Sequence, residues 1–71
     1  MSTQNFVGPE DVGARVSFQY ELPNGYVGEV VGELRQFDTA ADAYVVVDGN
    51  GRIARIPRAG VRFGKLVGPP R

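Results

Sequence analysis

Arg52, Arg55, Arg58, Arg62 and Lys65 recur every three or four residues in GNGRIARIPRAGVRFGKLVGPPR, with no acid among them. Gathered on one face, such residues would neutralise phosphates and hold a nucleic acid by its backbone. Strand geometry argues against a single stripe. Positions three apart on an extended chain point to opposite faces, which separates Arg52 from Arg55 and Arg62 from Lys65. The bases are expected to scatter around one end and side of the domain. Arg55, Arg58, Arg62 and Lys65 remain the candidate binding residues.

Other chemistry is thinly supplied. The chain has no histidine and no cysteine, so the commonest general base, the thiol nucleophile, disulfides and the usual nitrogen and sulfur metal ligands are missing together. Glu29 and Glu33 are the best-placed carboxylate pair. Four residues along a strand set their backbones about 13 Å apart, beyond the roughly 5–9.5 Å that glycoside hydrolysis uses. They read as a solvated face turned toward the basic half. Ser17 and Thr39 are the only hydroxyl side chains of serine or threonine beyond position 3, and neither has a base to activate it. No catalytic residue, cofactor site or metal site is expected. The glycines of DGNG lack the Gly-Lys-Ser/Thr ending of a phosphate loop and read as a hairpin turn. Tyr20, Tyr26, Phe37 and Tyr44 have the chemistry of a cation cage, but a tryptophan-free core of this size needs its aromatics inside.

Charge is balanced overall and lopsided along the chain. All eight acids lie in residues 1–48 beside only Arg15 and Arg35, while residues 49–71 carry six bases. In one compact domain the halves lie together, and pairing between them is the expected use of this asymmetry.

The elements that must position these residues follow from period and punctuation. ARVSFQYEL alternates Val16, Phe18, Tyr20 and Leu22 with Arg15, Ser17, Gln19 and Glu21, the mark of a half-buried strand. PNG at 23–25 turns the chain. In the second strand, YVGEVVGELRQF, Gly28 and Gly32 remove side chains and predict bending or close backbone approach. DTAADA reads as a loop before YVVVD, whose apolar run leaves the inward parity of Tyr44 to Val47 open. RIARIP is the fourth strand, ended by Pro57; PRAG makes a short 3-10 turn into VRFGKLV, the fifth. Five short strands with a turn between each predict an all-β fold, a small five-stranded SH3-like barrel.

Seventy-one residues make one domain, and a chain this short buries only about 60% of its unfolded surface, for a stability of roughly 4–10 kcal/mol. The expected organisation is a flexible segment over 1–10, the barrel over 11–67 and a Pro-rich exit linker over 68–71. MSTQNFVGPED has neither a basic region nor an apolar run, and no stretch reaches eighteen apolar residues, so no membrane contact is expected and the location is expected to be cytoplasmic.

The stretches DVGARVSFQYELPNGYVGEVVGELRQFD and GNGRIARIPRAGV, followed by a proline-bearing exit, resemble the SH3-like module at the N-terminus of certain actinobacterial GNAT-family N-acetyltransferases. The matching features are GARV opening strand one, VVGEL in strand two and IPRAGV ending strand four, where the family resembles Val-Pro-Arg-Ala-Asp-Val; Gly60 stands in place of its acid. Residues 11–69 are covered. The resemblance implies a catalytically inert accessory module that contacts a downstream acetyltransferase domain or a protein partner, with acetyl-CoA bound only in that following domain. No functional residue carries over to a position here. The alternative is a KOW-type nucleic-acid or ribosome-associated module, whose signal is echoed in GYVGEVVG.

Overall fold

A computed structural model describes residues 4–68 of the protein. Six strands, β1 (Gln4–Asn5), β2 (Arg15–Glu21), β3 (Val27–Asp38), β4 (Ala43–Asp48), β5 (Ile53–Pro57) and β6 (Val61–Gly68), form one sheet in the order β1-β6-β2-β3-β4-β5. Pro9–Asp11 and Arg58–Gly60 are single 3-10 turns. Every neighbouring pair is antiparallel except β1 with β6. The all-β expectation holds, and the five strands read from period and turns are β2 to β6. Among the described residues no ladder joins β5 to β1 or β6, so there the sheet curls around its core without closing and keeps two edges.

The turns form as their residues dictate. Gly25 takes a φ of 88° and the Asn24 side chain accepts from the Tyr26 amide at 3.1 Å, closing the β2–β3 connection. Asp48 Oδ1 accepts from the amides of Asn50 and Arg52, each at 2.9 Å, and fastens the β4–β5 hairpin.

β3 is the long bent strand that its glycines predicted. Its first part pairs with β2, Arg15 to Glu21 facing Glu33 to Val27, and its second part pairs with β4. At Gly32 the bend brings β4 so close that a Cβ would lie against the Val47 carbonyl, with the carbonyl carbon 2.8 Å away. A register shift between Leu34 and Gln36 makes Arg35 the extra residue of a bulge, which adds twist where the strand changes partner.

The core settles the parity of β4. Tyr44 and Val46 are wholly buried, packed with Val7, Val16, Phe18, Leu34, Ile56 and Val61, while Val45 and Val47 stay half-buried on the other face. Tyr44 stands at the centre, its ring 4.8 Å from that of Phe18 and 5.1 Å from that of Phe37.

The N-terminal segment differs from its expectation. Over its described part, residues 4–10, it is built into the fold: Gln4 and Asn5 pair with Phe63 and Gly64, the Phe6 amide donates to Gly64 O at 2.8 Å, and Val7 is 4% exposed within the core. Two residues are too few to show a period, and a parallel pairing carries no hairpin turn to announce it. Of the expected linker, Gly68 belongs to β6 and residues 69–71 lie outside the described residues.

Candidate functional site

The four candidate bases are distributed by β5, the 3-10 turn and β6, and three of them are already engaged. Arg55 Nη2 lies 2.8 Å from Asp38 Oδ2, Arg58 Nη2 lies 2.8 Å from Asp42 Oδ1, and Arg62 Nη1 lies 3.4 Å from Glu21 Oε2. Each pair ties the basic half to the acidic half, as the charge distribution predicted. Arg58 also lies over the Phe37 ring, 5.5 Å from its centre. Lys65 sits on the outer face of β6, opposite Ser17. The bases therefore form no continuous strip, and those in pairs present phosphate with an already neutralised partner.

These contacts face solvent, where water and salt screen them and each stabilises the fold only weakly. Their imprint is clearest at Asp38, whose carboxyl is held below the ordinary aspartate value, chiefly by its hydrogen bond from Arg55 and next by the Ala41 amide. Glu33 pairs within its own strand instead of with the basic half: Arg35 Nε donates to Glu33 Oε1 at 2.8 Å. Residues two apart on a strand share a face, so the partner of Glu33 is Arg35 of its own strand and not a C-terminal base, which corrects that expectation.

The four aromatics do not gather into a cage: Phe37 and Tyr44 meet edge to face, 5.1 Å between ring centres, but as part of the core packing. Tyr44 and Phe37 pack in and against the core, Tyr26 is 73% exposed on the β2–β3 turn, and Tyr20 lines a groove. Among the described residues no cluster of three acids, histidines or cysteines is arranged to hold a metal ion, and no helix is long and apolar enough to cross a membrane.

That groove was not foreseen. It is open, encloses about 650 Å³ and runs between the end of β2 with its following turn (Tyr20, Glu21, Leu22, Pro23) and the strand β5 (Ile53, Ala54, Arg55, Pro57), with Gly60 at one end. A volume of this order lies within the range of about 300–1,000 Å³ typical of ligand pockets. Its lining is mainly apolar, with Glu21 and Arg55 the only charged members, each drawn into an ion pair. The two walls come from stretches thirty or more residues apart, so no local pattern reveals it; Ile53, beside the hairpin turn, is left 69% exposed there.

No protein-family model, curated protein or solved structure matches the chain.

Proposed function

We propose that this chain is a non-catalytic, SH3-like contact module that binds a protein segment or a neighbouring domain. The observation that carries this reading is the open, mainly apolar groove between the β2–β3 turn and β5, which has the size and lining of a binding site. The resemblance of residues 11–69 to the N-terminal module of GNAT-family acetyltransferases supports an accessory role beside such an enzyme. On that reading acetyl-CoA belongs to the partner domain, where backbone amides at a helix N-terminus hold its phosphates. Engagement of Arg55, Arg58 and Arg62 with acids weighs against the nucleic-acid alternative.

The test has two arms. The natural reading frame beyond Arg71 is expected to continue into a mixed α/β domain with a glycine-containing pyrophosphate loop, and a stop codon there overturns the acetyltransferase association. Titrating the isolated chain with acetyl-CoA at millimolar concentration is expected to leave its amide resonances unmoved. Saturable shifts overturn the inert-module reading.

A further inference from the structure

We infer that the outer edge of β5 receives an extended, uncharged segment of a partner protein as an added strand, with its side chains seated in the adjoining groove. This rests on the contact-module reading and names the partner's chemistry. The register of β5 against β4 runs one to one from Ala43 opposite Pro57 to Val47 opposite Ile53. At one end of this ladder the Asp48 amide donates to Arg52 O at 3.0 Å, and at the other the Arg58 amide donates to Asp42 O at 2.9 Å. Backbone direction alternates along a strand, so residues 52, 54, 56 and 58 address β4, while 53, 55 and 57 address the opposite side. Among the described residues no strand pairs with that opposite side.

The free edge therefore offers the N–H and C=O of Ile53 and Arg55 and the C=O of Pro57, whose ring nitrogen has no hydrogen to leave unpaired. Ile53, Arg55 and Pro57 also line the groove, which places the unpaired backbone groups and the apolar trough side by side. Unpaired ladder groups select an extended backbone, and a trough beside them selects alternate apolar side chains. Charge narrows the choice further. Glu21 and Arg55 are opposite in sign, and each is matched to a neighbour, Arg62 and Asp38, so the groove favours neither an acidic nor a basic segment. Pro57 limits the added ladder to the stretch beside Ile53 and Arg55, which fits a short segment better than a long one.

The experiment is a display selection with random uncharged peptides of about seven residues against the whole chain, followed by NMR titration with the peptides recovered. The amides of Ile53 and Arg55 are expected to become protected from hydrogen exchange, with cross-strand contacts to the peptide backbone. Arg55→Pro removes one outward donor without touching the β4 ladder and is expected to weaken binding by roughly tenfold or more. Glu29→Ala, on β3 and outside the groove lining, is expected to bind as the parent does. Should Arg55→Pro fail to fold, the exchange and cross-strand contacts in the parent chain decide. Peptides that bind on another face, with Ile53 and Arg55 unprotected, overturn the inference and leave the contact-module reading standing. Concentration-dependent dimerisation through β5 in place of peptide capture overturns it in favour of a second copy. Recovery of no binding peptide from the selection overturns both.

Discussion

The Tyr44 hydroxyl donates to the Val7 carbonyl at 2.7 Å while accepting from the Asn5 side-chain amide at 3.1 Å, so a buried residue of β4 holds the N-terminal segment against β6. Asn5 completes the lock through its own Oδ1, which accepts from the Val7 amide at 3.0 Å. Tyr44→Phe keeps the ring packing on Phe18 and Phe37 and deletes only the hydroxyl, stranding two polar groups. The loss is expected to be about 1–3 kcal/mol in urea denaturation, accompanied by faster exchange of the Phe6 amide. A neutral substitution with Phe6 still protected would show that the segment is held by Val7 and Phe6 alone.

Gly32 and Gly49 make a matched pair of tests for the bend in β3. A methyl group at Gly32 meets the Val47 backbone, which cannot rotate away, whereas one at Gly49 meets nothing within 4 Å. Gly32→Ala is expected to destabilise by about 3 kcal/mol through overpacking, and Gly49→Ala to stay within about 0.5 kcal/mol of the parent. Equal effects in thermal or chemical unfolding would mean that β3 and β4 are less closely apposed at the bend.

How far these features were legible depended on whether their cause was local. The alternation of Val16, Phe18 and Tyr20 exposes the inward face of β2 directly, and Asn24-Gly25 declares its turn, because one residue's dihedral preference decides each. Parity in β4 had no local answer: Tyr44 to Val47 are apolar on both faces, and only cross-strand placement, with Val46 opposite Leu34, sends Tyr44 and Val46 inward. β1 and the groove were invisible for a related reason. Phe63 and Gly64, which receive β1, and Ile53, which faces the turn after β2, lie far along the chain from their partners. The ion pairs sit between these extremes: segregation of charge announced that Arg55, Arg58 and Arg62 would meet acids, without saying which.

The Asp38–Arg55 pair predicts a pH dependence with a definite sign. The carboxyl of Asp38 is depressed in the folded protein, so its contribution to stability is present above the ordinary aspartate value and disappears as pH falls through the lower, folded value. Comparing the parent with Asp38→Asn, the stability difference is expected to be constant from neutral pH to mildly acidic pH and to vanish in strong acid. High salt should shrink it, because the pair faces solvent. A difference that grows on acidification would contradict the pairing.

Nucleic-acid affinity is the measurement most directly opposed to the paired bases. Counterion release requires cations free to replace the ions around a phosphate backbone, and Arg55, Arg58 and Arg62 must first leave Asp38, Asp42 and Glu21. Those acids stay beside the bases after the pairs open and repel the incoming phosphates. Binding of generic DNA or RNA at physiological salt, followed by fluorescence anisotropy, is expected to be no tighter than the non-specific range of about 10⁻⁴ to 10⁻⁶ M. Asp38→Asn with Asp42→Asn should strengthen it by freeing two arginines, and the salt slope should steepen accordingly. A submicromolar complex in the parent chain that collapses when Arg55, Arg58 and Arg62 are reversed to glutamate would transfer the function from the groove to the basic residues.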